Sequence, residues 1–466
     1  MLAVSREDVT DGPIPRVLLV LAAPLVAQNL VQVVQQVVDT FWLGRLGEDA
    51  VAAVGLNFPI LAVLIAVTAV APFVGTQVLV AQRYGAERVD EARSATAHGM
   101  ALALGFGALG GLLVFLTAGH IVSLFGAGPE VTRLAAIYLA VYALGLPIIA
   151  ASDALEGGFI GWGETRAALH INVTAVAVNV VLDPFLIFGW WVFPALGIQG
   201  AALATVIGYG CGFALALALA FGLRERSPLA WPAGGLSWRE CRELLDIGLP
   251  SAGQNLAQQS VRVVIVGVVA VVGGTAGLAA YTVGARVASV AFIPASGLAQ
   301  AAQSMVGQNL GADRADRARR TTWVGVAIAV VGLSLVAAIQ WAFPAFLAHL
   351  FVPDISPGAL ALTVDYLVIL AYGYWAIGAT YVLLAGFNGA RRTRTSMVIS
   401  LIQYWAVRLP IAAVGALALG YGVHAVFWAV TLSNVVAAIG AGAYYYHATS
   451  NGMLDRAADR AQTAAD

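Results

Sequence analysis

A stripe of polar side chains runs along the first apolar segment of the chain. Gln28, Gln32, Gln35, Gln36 and Asp39 recur at steps of three and four residues. That spacing places them on one face of a helix, with the carboxylate at its far end. Such a face does not suit lipid, so we expect it to line a cavity or to pack on another helix. The glutamines are candidates for a substrate pocket and the acid for ion binding; in the alternative, the acid only ends the helix at an interface.

Three more polar residues fall at a similar predicted depth in later segments. Asn179 and Asp183 are four residues apart and therefore share one helical face, and Thr205 lies at a comparable level in the next segment. With Asp39 they offer two carboxylates, an amide and a hydroxyl. Such a group would share a proton, because neighbouring carboxylates in a low dielectric do not both ionise cheaply, or it would supply oxygens to Na⁺. A purely structural hydrogen-bond cluster is the third interpretation.

Composition identifies the elements that must position these residues. The chain has 466 residues, of which 60% are hydrophobic and only 11% are charged. That balance excludes an ordinary soluble enzyme, and the net charge of −1 gives no sign of a nucleic-acid partner. Because a helix needs about 20 apolar residues to cross a bilayer, we predict an all-α integral membrane protein with twelve transmembrane helices. The predicted spans are 14–40, 52–82, 94–119, 134–161, 167–191, 196–222, 243–273, 277–308, 321–345, 360–388, 395–417 and 421–447.

Arginine placement predicts the orientation. All 24 basic residues are arginine, and with the N-terminus in the cytoplasm nineteen of them fall on the cytoplasmic side and two outside. This excess follows the positive-inside rule and predicts a multi-pass protein of the cell membrane with both termini cytoplasmic. The remaining three, Arg262, Arg286 and Arg408, lie inside predicted spans. Asp153 and Glu156 lie near a cytoplasmic helix end, where we expect a structural pairing with Arg83 or Arg166.

The chain also repeats itself. Residues 24–32 read PLVAQNLVQ and residues 250–258 read PSAGQNLAQ, an offset of 226. We therefore predict two six-helix lobes, 1–222 and 243–447, related by a pseudo-twofold axis along the membrane normal, with a cytoplasmic linker at 223–242 and a cytoplasmic tail at 448–466. Pro24 interrupts the hydrogen-bond ladder of the first helix and predicts a kink, which is either a hinge that lets the helix bend or a static feature.

The two lobes differ at the candidate cation residues. The repeat partner of Asp39 is Ile265, and the partners of Asn179 and Asp183 are also apolar. A lobe can therefore be built without these polar groups. Because ionisable residues inside a membrane are costly, their presence in one lobe indicates a function.

The sequence resembles the multidrug and toxic compound extrusion (MATE) family, in its archaeal and bacterial DNA-damage-inducible branch. The resemblance rests on the two six-helix lobes and on the segments PLVAQNLVQVVQQVVDTFWLGRLG, GFIGWGETR, NVVLDPFLIFG and GIQGAALAT. It implies a transporter rather than an enzyme, exporting cationic or amphipathic drugs or metabolites in exchange for inward H⁺ or Na⁺. It also implies that Asp39, Asn179, Asp183 and Thr205 form the cation site, with Na⁺ as one possible occupant, and that helix 1 bends at Pro24.

Two other functions stay open from the sequence. One is a lipid-linked oligosaccharide flippase, which the three intramembrane arginines favour and the paired acids oppose. The other is an intramembrane aspartyl protease using Asp39 and Asp183, although the chain has no GxGD or HExxH motif. We expect no cofactor beyond the coupling ion, and a monomer in the lipid bilayer.

Overall fold

The computed structural model describes residues 5–222, 227–232, 235–352 and 355–463, apart from the side chains of 290 and 291. These residues form helices and connecting turns, without strands. The helices are α1 (Arg6–Asp11), α2 (Ile14–Leu46), α3 (Glu48–Ile65), α4 (Ala71–Gly85), α5 (Val89–Ser123), α6 (Pro129–Trp162), α7 (Thr165–Phe188), α8 (Ile198–Gly222), α9 (Trp238–Gly311), α10 (Ala315–Ala342), α11 (Pro344–Phe351), α12 (Pro357–Ala371), α13 (Tyr374–Gly389), α14 (Thr393–Leu401), α15 (Leu409–Ala413), α16 (Gly422–Ser450) and α17 (Met453–Thr463). Three π-helical segments, Ala66–Val70, Ile402–Arg408 and Val414–Ala418, join neighbouring helices without a break.

The apolar helices confirm the all-α membrane architecture. Among the described residues, ten helical stretches are long and apolar enough to cross a bilayer, and α12 with α13 forms an eleventh, bent by 51°. Helix α9 contains 74 residues, which corresponds to about 110 Å and exceeds a single crossing. It is interrupted at Gly274, whose φ of 54° and ψ of −154° suit a residue without a Cβ. Counting α9 as two spans gives the twelve that the sequence predicts.

Packing divides the chain into two compact units whose borders lie inside helices. The first unit contains residues 27–252 and the second contains 6–26 with 253 onward. The borders at 26/27 and 252/253 are separated by 226 residues, which is the offset of the sequence repeat. Each half of the repeat therefore begins its first long helix in one unit and continues it in the other. Helix α2 passes through Pro24 as one continuous helix.

Arginine pairing at one end of the first unit differs from the expectation. Arg83 is only 2% exposed and its guanidinium donates to Glu240 at 2.7 and 3.1 Å and to Glu243 at 2.9 Å. Its partners thus come from the start of α9, and the predicted pairing with Asp153 or Glu156 is wrong. The expectation failed because the sequence pattern does not indicate that α9 begins at Trp238, inside the segment taken as linker.

Candidate functional site

The Asn179 side chain lies at the centre of a polar cluster in the first unit. One end of its amide is 2.8 Å from Gln35 Nε2 and 3.1 Å from Asp39 Oδ1. The other end is 3.4 Å from Asp183 Oδ1, 3.3 Å from Thr205 Oγ1 and 3.2 Å from the Thr205 backbone nitrogen. The four residues predicted for the cation site are therefore brought together, with Gln35 added to them.

The two carboxyl groups of this cluster lie around one amide. The Asn179 side chain is 3.1 Å from Asp39 Oδ1 and 3.4 Å from Asp183 Oδ1. Two carboxylates held around one side chain in a low dielectric do not both ionise cheaply. Asp183 and Asn179 are each only 1% exposed, whereas Asp39 is half-buried. The cluster is therefore an enclosed group of oxygen atoms with one partly accessible member.

Close packing of α7 against α8 sets the geometry of the cluster. A Cβ at Gly208 would lie 2.4 Å from the Ala175 carbonyl oxygen and 3.1 Å from Asn179 Cβ, so only glycine allows this approach. Thr205 stands one turn earlier on α8 and donates its hydroxyl proton to the Ala201 carbonyl at 3.1 Å. The hydroxyl oxygen consequently faces the Asn179 amide as an acceptor, at 3.3 Å.

The glutamine stripe on α2 divides between two environments. Gln35 contacts Asn179, as described. Gln28 lies lower on the helix and donates to Glu156 Oε1 at 2.5 Å, both side chains being buried. Gln32 is half-buried and Gln36 is exposed. Gln35 is thus part of the cation cluster. The substrate contact expected of Gln28, Gln32 and Gln36 stays a prediction.

One member of the cluster escaped the sequence analysis. Tyr138 on α6 lies close to Thr205 and beside the ring of Tyr142, with the centroids 6.4 Å apart. The signal was present, because Tyr138 has a repeat partner in Tyr366 at an offset of 228. A tyrosine kept in both halves of a repeat indicates a shared position but not which polar groups surround it.

Comparison with known proteins decides the family. The MatE family model matches residues 24–185 and 250–450, well over half of the chain. The chain belongs to the MatE family. It is similar to a probable multidrug resistance protein NorM of Bradyrhizobium diazoefficiens, with 31% identity covering 89% of this chain and 90% of that protein. It is also similar to an FAD transporter of Shewanella oneidensis, with 27% identity covering 94% and 96% of the two chains.

Solved structures agree on the fold. A MOP superfamily transporter from Pyrococcus furiosus, described as having a binding pocket of reverse polarity that suggests a different function, aligns with a TM-score of 0.90. Its identity is 23%, and the match covers 97% of this chain and 99% of that one. An outward-facing multidrug resistance MATE transporter aligns with a TM-score of 0.87, at 23% identity and the same coverage. This MatE protein is therefore a multi-pass membrane transporter of the multidrug efflux type and not an enzyme, which sets aside the protease alternative.

Proposed function

We propose that this MatE protein exports small molecules in exchange for H⁺ or Na⁺ that binds at Asp39, Asn179, Asp183 and Thr205. The observation that carries the proposal is the Asn179 amide, which lies within hydrogen-bond distance of both the Asp39 and the Asp183 carboxyl groups. Two negative charges around one amide repel strongly in a low dielectric, so the pair holds one proton or one small cation far more readily than none. A titratable group that is half-buried on one side and enclosed on the other suits an ion taken up from water.

The orientation of the Asn179 amide depends on which of the two carboxyl groups is charged. In one orientation its nitrogen donates to Asp39 Oδ1 at 3.1 Å, and its oxygen accepts from the Thr205 backbone N–H at 3.2 Å. In the other its nitrogen donates to Asp183 and Thr205, and its oxygen accepts from Gln35 at 2.8 Å. The second orientation sets the amide oxygen against Asp39 and therefore suits a protonated Asp39. Protonation would thus reverse the amide and rearrange the contacts of α2.

Sodium is an equally suitable coupling ion for this set of ligands. Na⁺ is a hard cation that prefers carboxylate, amide and hydroxyl oxygens, and all three types meet here. The ion would replace the proton between the carboxyl groups and accept the Asn179 oxygen as a ligand. The choice between H⁺ and Na⁺ is a prediction that separately imposed gradients test. Membership of the DNA-damage-inducible branch also stays a prediction.

Bending of α2 is proposed as the movement that follows ion binding. Pro24 has no N–H to offer the Val20 carbonyl, so the ladder lacks one hydrogen bond there. Packing of α2 changes from the second unit to the first between residues 26 and 27, directly after this weak point. We expect Pro24→Ala to slow transport while leaving cation binding intact, measured as turnover and as ion affinity of the same preparation. A Pro24→Ala variant with unchanged turnover would contradict the hinge.

The substrate class is proposed in part from relatives. The NorM relatives are named for multidrug resistance, and the Shewanella relative is named as an FAD transporter. Cationic compounds are the class that the family resemblance predicts. Ethidium and flavin mononucleotide (FMN) are therefore both needed as probes, since one is cationic and the other anionic.

The decisive experiment is transport by the full chain reconstituted in liposomes. A proton gradient and a sodium gradient are imposed separately, and the movement of ethidium and of FMN is followed by fluorescence. We expect the wild-type protein to move at least one probe under one gradient and Asp39→Asn and Asp183→Asn to lose that movement. Asp365→Asn is the matched control, because this α12 acid is half exposed and pairs with His424 at 3.0 Å, outside the cation site. Full coupled transport by both site variants would refute the proposal.

A further inference from the structure

The second unit carries positive charge where the first unit carries its acids. Among the described residues of its helical spans the only acids are Asp316, in the first turn of α10, and Asp365. Arg262 lies inside α9, and Arg408 ends the π-helical segment that joins α14 to α15. Arg262 stands twelve residues before the break at Gly274, about 18 Å along the helix. Both arginines therefore belong to the membrane interior, where a charge unpaired in lipid is costly.

The Arg408 guanidinium is held in a fixed orientation. Its Nε donates to Ser433 Oγ at 2.9 Å, and its Nη2 donates to Asn434 Oδ1 at 2.8 Å. The group lies over the ring of Tyr404, with Cζ 4.5 Å from the centroid. Gln403 also donates to Asn434 Oδ1, at 2.8 Å, and so holds that acceptor in place. Within the described part of the chain Nη1 receives no partner, so one pair of donor hydrogens stays free for a ligand.

Arg262 completes the cluster from a different helix. It is exposed and forms no ion pair with any acid of the described residues. The two segments that carry the arginines are adjacent, because Trp405 donates its indole N–H to the Ala257 carbonyl of α9 at 3.2 Å. Tyr281, Tyr366 and Tyr381 lie within electrostatic range of both guanidinium groups. An arginine that is exposed at this depth, without an acid and beside polar side chains, faces a water-filled opening rather than lipid.

The repeat places this cluster next to the positions that correspond to the cation site of the other half. Arg262 takes the place of Gln36 on the first helix of the repeat, and Arg408 directly follows the partner of Asn179. Tyr366 is the repeat partner of Tyr138. The second half thus keeps this tyrosine, has isoleucine in place of both acids and carries two arginines nearby.

We propose that Arg262 and Arg408 form an anion-binding site in the second unit, which takes a phosphate or carboxylate group on an aromatic compound. Guanidinium donors match the geometry of these oxygen groups, and the tyrosine rings offer faces to an attached aromatic system. The π-helical turn at Ile402–Arg408 supports a binding role, because such turns occur frequently at functional sites. The inference rests on the proposed function in that the ligand is the transported compound, and it adds anionic aromatic compounds to the cationic or amphipathic substrates that the resemblance implies.

Binding by the full chain in phosphatidylcholine nanodiscs tests the site without any gradient. Two probe pairs differ only in their anionic group: FMN against riboflavin for phosphate, and indole-3-acetate against indole for carboxylate. We expect at least one anionic probe to bind about tenfold more tightly than its neutral partner, a difference of about 1.4 kcal/mol. The pair that shows the larger ratio identifies phosphate or carboxylate as the preferred group.

Variants on α9 make the test specific. Arg262→Gln installs the residue type of the equivalent position in the first half, and we expect it to reduce the ratio to within about twofold, or about 0.4 kcal/mol. Arg286→Gln is the matched control, because it removes an exposed arginine from the same helix without touching the tyrosine cluster. Equal binding of anionic and neutral probes by the wild-type protein would overturn the site, as would an equal loss in both variants.

Failure of this inference is distinguishable from failure of the proposed function. Gradient-driven export of ethidium with no preference for anionic probes refutes the anion site and leaves the cation coupling intact. A clear anionic preference in a protein that Asp39→Asn and Asp183→Asn leave fully coupled refutes the cation site and supports the anion site.

Discussion

Replacing Asn179 with leucine removes the side chain that links Gln35, Asp39, Asp183 and Thr205. In one orientation of the amide the lost contacts are those to Gln35 at 2.8 Å, Thr205 Oγ1 at 3.3 Å and Asp183 at 3.4 Å. In the other orientation they are those to Asp39 at 3.1 Å and to the Thr205 backbone N–H at 3.2 Å. Hydrogen bonds between membrane helices contribute about 0.6 kcal/mol each on average, and a buried polar group left without a partner costs about 1–3 kcal/mol. We therefore expect the free energy of unfolding to fall by about 2–4 kcal/mol.

Thermal unfolding with a thiol-reactive dye measures this loss, because Cys241 is buried until the first unit opens. A chain of this size should lose about 2 °C in Tm for each kcal/mol, so we expect a decrease of about 4–8 °C. Asn172→Leu is the matched control, since Asn172 is buried on the same helix and its Oδ1 has no hydrogen-bond partner among the described residues. Removing an unpaired acceptor should change Tm little or raise it.

A double-mutant cycle of Asn179→Leu with Asp39→Asn isolates the contact between these two side chains, on which the proposed response to proton binding depends. We expect a coupling energy of about 1 kcal/mol between Asn179 and Asp39, because the amide is in hydrogen-bond range of that carboxyl group. If Asn179→Leu costs the same in the wild-type and Asp39→Asn backgrounds, the amide does not respond to the charge of Asp39. That result would refute the orientation mechanism proposed for proton binding.

Two further substitutions test packing around the site. Gly208→Ala should push α7 away from α8, because the new Cβ would lie 2.4 Å from the Ala175 carbonyl oxygen. We expect it to lower both the ion affinity and the Tm. Gly210→Ala is the control and should change neither quantity, because its Cβ would have nothing within 4 Å. Arg83→Gln should cost about 3–5 kcal/mol of unfolding free energy, since it leaves two glutamates at the start of α9 without their buried partner. Limited proteolysis with chymotrypsin at the buried Leu229, on the segment before α9, measures the loosening. A cleavage rate equal to that of the wild-type protein would contradict the structural role.

Local periodicity determined the helices and which residues share a helix face. Apolar runs of span length, the four-residue spacing of Asn179 and Asp183, and the 226-residue repeat are readable because each depends on residues close in sequence or on direct identity. The extra span hidden inside α9 was also readable, because Gly274 and its neighbours interrupt the apolar run.

Only the tertiary structure decided which of these residues meet. Gln35 and Asn179 are 144 residues apart and Arg83 and Glu240 are 157 apart, and neither contact follows from any local pattern. Such contacts depend on how far one helix slides along another, which is set by small residues such as Gly208 and by the interlocking of many side chains. The sequence therefore predicted a polar stripe of four glutamines, and helix packing selected one of them for the cation cluster.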